Sequence, residues 1–104
     1  MAQFDIHENP NPATRPRFPF LVDIQSDLLA DFGIRVVIPL TPLGLLGVAV
    51  SRLNPEFAVE GKRCALATTH IAGVRKAALG RRIGSLAESR DAVVAAIDVL
   101  LAGV

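Results

Sequence analysis

The sequence predicts a mainly β, α+β fold: one domain over residues 1–104, a β-rich body closed by a C-terminal amphipathic helix. Several short runs alternate apolar and polar residues at the two-residue period of half-buried strands. The last twenty or so residues switch to a helical period behind a Ser-x-x-Glu start. With 104 residues, 51% hydrophobic and 20% charged, the chain has the size of a single core and lies far from the disordered regime.

The elements follow in order. Phe4 and Ile6 alternate with Asp5 and His7, a first strand. Asn9-Pro-Asn-Pro-Ala-Thr-Arg-Pro-Arg17 is a loop, because its prolines can neither donate to a ladder nor sit inside a helix. Phe18, Phe20, Val22 and Ile24 point one way and Asp23 and Gln25 the other, a second strand. Asp31-Phe-Gly33 supplies a turn before Ile34, Val36, Ile38 and Leu40 repeat the pattern, with Pro39 best tolerated at a strand end or sheet edge. Thr41 to Asn54 is rich in Leu and Gly and fits a short helix or another strand. Phe57 and Val59, then Glu60-Gly61-Lys62, then Cys64 and Leu66, read as a hairpin turning at the glycine.

At the end, Ser85-Leu-Ala-Glu88 has the form of a capping box. Beyond it, at about 100° per residue, Leu86, Val93, Val94, Ile97, Leu100 and Leu101 fall in one arc, expected to pack on the sheet. Arg90 enters that arc as a long stem that covers apolar surface while its guanidinium reaches water. The opposite face mixes Ala92, Ala95, Val99 and Ala102 with Glu88, Asp91 and Asp98, less polar than a free surface. Asp98 lies toward the negative end of the helix dipole, where a carboxylate is unfavourable, which points to a partner.

Composition narrows the function. A net charge of +1 gives no global field for a nucleic-acid backbone or an anionic membrane. The long uncharged stretch Val36 to Val50 is shorter than a bilayer span and holds Pro39 and Pro42. The start has neither the basic nor the apolar region of a signal peptide, and Cys64, the single cysteine, allows no internal disulfide. A cytoplasmic location is therefore expected.

The chain carries few of the patterns that mark a reaction. His7-Glu8 lacks the second histidine of a zinc-protease motif, so neither a metal site nor a cofactor is expected. Cys64 and His70 form a nucleophile–base pair only on paper, since a lone cysteine in an apolar strand pattern is usually a small core residue. Gly80-Arg-Arg-Ile-Gly84 lacks the Gly-Lys-Ser/Thr close of a phosphate loop. Arg75, Lys76, Arg81 and Arg82 form a basic cluster that suits nucleic acid, an acidic peptide or plain solvent. No Trp or Tyr, and five Phe mostly in strand patterns, disfavour single-strand binding. The expectation is a protein that grips another protein and is not an enzyme.

One resemblance spans nearly the whole chain. Gln3-Phe4, Leu21-Val-Asp-Ile-Gln-Ser-Asp-Leu-Leu29, Val37-Ile-Pro-Leu40, Val50-Ser-Arg-Leu53, Thr68-Thr69 and the closing Leu100-Leu-Ala-Gly-Val104 resemble, in order and spacing, the CcdB family of bacterial toxins. The resemblance implies a small barrel-like antiparallel sheet with a C-terminal helix, assembled as a homodimer. It implies the toxin of a type II toxin–antitoxin system that binds the A subunit of DNA gyrase and traps the enzyme with its DNA cleaved. A CcdA-type antitoxin would neutralise it, and operator DNA would be met only through the antitoxin complex, in transcription regulation. By position, the gyrase-binding surface would be Leu28, Leu29, Asp98, Leu101, Ala102, Gly103 and Val104. Ala102 stands where the family places a bulky aromatic, and Asp98 where it places an asparagine. Two other readings remain open: a weakly toxic or non-toxic interaction protein of the same fold, and a ribonuclease like the MazF toxins, supported by the basic cluster alone.

Overall fold

The computed structural model describes residues 2–47 and 49–103. Seven strands run β1 (Asp5–Glu8), β2 (Phe20–Asp23), β3 (Ile34–Pro42), β4 (Glu56–Val59), β5 (Lys62–Leu66), β6 (Ala72–Arg75) and β7 (Arg82–Ser85), with helices α1 (Leu43–Leu46) and α2 (Arg90–Ala102). They form one curved half-barrel in the order β4-β5-β3-β2-β1-β7, with β6 also on β3. Every pairing among the described residues is antiparallel.

The long strand β3 organises this sheet. One side of it pairs with β2, while the other forks: Ile34–Val37 pair with β6 and Leu40–Pro42 with β5. Pro39 sits at the fork, inside the strand and not at its end as the sequence suggests. Its carbonyl accepts from the Ala67 amide at 2.8 Å, so the side on which its N–H is missing faces the gap, where no ladder bond is lost. The predicted hairpin is present. Glu60 and Gly61, both at positive φ (51° and 77°), make the two-residue turn whose twist matches paired strands.

Alternation gives the sheet two faces. Ile6, Phe20, Val22, Ile38, Leu40, Cys64 and Leu66 pack on one face with Phe4, Leu86, Val93 and Ala96, forming the core under α2. The other face is also closed: Leu21, Val37 and Leu79 cluster there, beside the buried polar residues Asp5, His7, Asp23 and Arg35. Arg35 and Asp23, both without solvent exposure, form an ion pair of 2.6 Å. Asp23 thus points away from the core under α2, as the alternation has it, and is buried on the opposite face. Apolar residues at positions 21 and 37 of the same alternation already mark a sheet covered on both sides.

The C-terminal helix corrects two further expectations. Ser85 is no capping-box residue: its Oγ accepts from the Ala87 amide at 3.0 Å, a 3-10 turn spans Ala87–Ser89, and α2 begins only at Arg90. The buried line is Val93 and Ala96 with half-buried Ile97, while Val94 and Leu101 turn outward. Val93 and Ala96, both without solvent exposure, mark the seated face of the helix. Arg90 behaves as expected, its guanidinium carbon 5.6 Å from the Phe4 ring centre. Gly103 (φ 75°) ends the helix, its amide donating to the Val99 carbonyl at 2.9 Å, the left-handed cap that glycine adopts without steric cost.

Sequence alternation does not show β6 and β7, each of four residues with a glycine inside. They exist because β3 and β1 offer free edges. Gly80, part of the would-be phosphate loop, is instead a close-packing glycine: a Cβ there would lie 2.6 Å from the Glu8 carbonyl oxygen.

Candidate partner-binding surface

Leu28 and Leu29 lie on a 3-10 turn, Asp27–Leu29, that follows β2. The polar residues before them hold it. The Gln25 amide donates to Asp23 Oδ1 at 3.1 Å, Gln25 Nε2 donates to the Leu29 carbonyl at 3.1 Å, and Gln25 Oε1 accepts from the Val36 amide at 3.0 Å. Ser26 Oγ caps the turn by accepting from the Leu28 amide at 3.2 Å, and Asp27 Oδ1 accepts from the Gln3 amide at 2.8 Å. Asp23-Ile-Gln-Ser-Asp27 is therefore a built platform, and it presents Leu28 at 94% exposure and Leu29 at 40%. That excludes Leu28 from this chain's core. An exposed leucine on a fixed turn is suited to burial by another molecule.

The second group lies on the last turns of α2. Asp98, Leu101, Ala102 and Gly103 are all exposed, Leu101 at 78%, so Leu101 is available to a partner, contrary to its place in the predicted core arc. Val104 lies outside the described residues. The structure brings Leu28 and Leu29 together on one turn and the helix-end residues together on another element. Among the described residues, no hydrogen bond or ion pair links the two groups. The turn is tied to Gln3, whose neighbour Phe4 lies beneath Arg90 at the start of the helix, roughly 16 Å along the axis from Leu101.

The basic cluster divides. Arg81 pairs with Glu8 at 2.7 Å and Arg82 with Asp5 at 3.0 Å. The Glu8 hydrogen bond and charge hold the Arg81 guanidinium still more firmly protonated. Arg75 and Lys76 enter no ion pair among the described residues.

The nucleophile and base candidates are placed unfavourably for chemistry. His7 is buried, with Nδ1 3.1 Å from the Gly80 carbonyl oxygen. His70 is exposed and lies against Phe18, ring centres 5.1 Å apart. Cys64 is 1% exposed, and burial pushes its thiol pKa up, outweighing the opposing charge of Lys62. We expect Cys64 to resist a chromogenic disulfide reagent in the native protein and to react fully in denaturant. Rapid reaction of the native protein would contradict its placement. Among the described residues no group of three or more His, Cys, Asp and Glu is arranged to hold a metal, and no helix is long and apolar enough to cross a membrane.

Sequence reasoning missed one further feature. A groove of about 420 Å³ lies on the second face of the sheet, lined by Phe18, Leu21, Val37, Pro39, Val74 and Ala78 among others. Leu21 and Val37, apolar at positions that alternate with those of the core face, are the available signal.

The features just described are an antiparallel half-barrel, a Gln-Ser-Asp platform for two exposed leucines and a glycine-capped helix with an exposed end. They accompany a match of residues 3–103 to the family described as CcdB protein. The match covers nearly all of the chain, and the chain belongs to the CcdB family.

Proposed function

We propose that this chain is the toxin of a type II toxin–antitoxin pair. It binds the A subunit of DNA gyrase, holds the enzyme with its DNA cleaved, and is neutralised by a CcdA-type antitoxin. Family membership supports a toxin of the CcdB type; the target and the neutralising partner are the proposal. The observation that carries it is the exposure of Leu28 and Leu101, 94% and 78%, on elements fixed by their own caps. Burying a leucine stabilises by about 1.5–3 kcal/mol, and this chain leaves both for another surface. The protein acts by binding and not by catalysis, in the cytoplasm, as a homodimer. Two-fold symmetry doubles the turn and the helix end and offers both copies to a two-fold enzyme.

Ala102 favours a second reading, a weakly toxic or non-toxic interaction protein, because the helix end carries only small residues beside Leu101. The ribonuclease alternative draws on a basic cluster half of which Glu8 and Asp5 already engage. Induced expression in a bacterial host tests the main reading. It predicts growth arrest with a DNA-damage response, both relieved by the co-expressed antitoxin. Unimpeded growth with abundant folded protein would favour the second reading.

A further inference from the structure

The turn that carries Leu28 and Leu29 exposes two more large apolar side chains, Phe32 at 59% and Ile34 at 49%. Phe32 is held beside the leucines, its amide donating to the Leu29 carbonyl at 3.1 Å. Ile34 opens β3 opposite Arg75. Gly73 leaves it room, because a Cβ there would come within 3.2 Å of Ile34 Cγ2. The Lys76 amide donates to the Gly33 carbonyl at 3.2 Å, so Arg75 and Lys76 both arrive at the same turn. Neither enters an ion pair among the described residues. Asp27 is engaged by the Gln3 amide, and among the described residues Asp31 enters no ion pair, so the turn sets this one carboxylate against two cations.

The remaining phenylalanines are committed elsewhere: Phe4 and Phe20 in the core, Phe57 against it, and Phe18 against His70. Phe32 is the aromatic left facing solvent. Aromatic side chains, Phe among them, are enriched at the cores of interfaces.

We propose that Phe32 is the aromatic anchor of the partner-binding surface, which extends from Leu28 and Leu29 through Ile34, and that Arg75 and Lys76 select a partner segment with carboxylates beside its apolar side chains. This inference rests on the reading that the partner is the gyrase A subunit. It places the main grip on the turn between β2 and β3, where the small Ala102 matters little. Charge at the rim of such a patch acts chiefly on the rate of encounter and its salt dependence.

The test is equilibrium and kinetic binding of the purified full chain to purified gyrase A subunit. Phe32→Ala should weaken affinity about 30-fold, while Phe32→Tyr, which keeps the ring, should hold it. Arg75→Gln with Lys76→Gln should slow association and flatten its salt dependence. All these side chains lie on the surface, so thermal midpoints should stay near that of the parent chain. Affinity of Phe32→Ala within two-fold of the parent would overturn the inference and leave the proposed function standing. No binding by the parent chain would remove both. A dimer that dissolves on Phe32→Ala in sedimentation, with affinity for the A subunit unchanged, would assign the patch to a second copy and overturn the proposal.

Discussion

Arg35→Ala is expected to lower stability by about 3–5 kcal/mol, read as a fall in the urea midpoint at unchanged slope. Arg35 and Asp23 are both fully buried. Nη2 and Nε of Arg35 donate to the same Asp23 oxygen, at 2.6 and 3.0 Å. The other Asp23 oxygen accepts from the Gln25 amide. Removing the guanidinium leaves a carboxylate with no counter-charge in a closed layer, which costs far more than the pair gains over an apolar replacement. Arg35→Met combined with Asp23→Leu should therefore recover most of the loss. Because Asp23 also holds Gln25, and Gln25 holds the Leu29 carbonyl, the single variant should also loosen the turn bearing Leu28. A loss below about 1 kcal/mol would show that the pair is not the closed contact described.

Val93→Asp and Leu101→Asp should have opposite consequences although both replace an apolar residue of α2 by a carboxylate. Val93 is fully buried among Phe4, Leu86 and Ala96. An unpaired charge there adds a desolvation penalty of several kcal/mol to the lost burial of about 1.5–3 kcal/mol, enough to remove most of a domain's stability. Leu101, 78% exposed, should tolerate the change within about 0.5 kcal/mol and lose partner binding instead. Thermal unfolding followed by circular dichroism separates the two. Equal destabilisation would restore Leu101 to the core face.

Much of the fold is written in local pattern. Strands β1 to β5 and the turn at Gly61 follow from period-two alternation and a residue that accepts positive φ. The stretch after Thr41 is ambiguous in sequence because its described residues hold one helical turn, Leu43–Leu46, and a separate turn closed by Asn54, whose amide donates to the Val50 carbonyl at 2.7 Å and whose Nδ2 donates to the Leu66 carbonyl at 3.0 Å. Strands β6 and β7 are invisible locally, since pairing partners and not propensity create them. Ser85 misleads because Ser-x-x-Glu also fits a 3-10 turn, and the helical arc misleads because periodicity gives a face only to within a residue. At the candidate site, the resemblance selects Leu28, Leu29 and the helix end, but composition cannot distinguish an exposed leucine from a core one. Phe32, Ile34 and the freedom of Arg75 and Lys76 need the fold, because they depend on which carboxylates reach Arg81 and Arg82.

As the proposed toxin, this chain should grip gyrase and hold it on broken DNA. Purified gyrase, supercoiled plasmid and an excess of the chain, stopped with detergent and protease, test it most directly. Supercoiling should cease, linear DNA should accumulate, and Leu28→Asp should abolish both effects. Uninhibited supercoiling with no cleaved DNA at high excess of folded protein would contradict it.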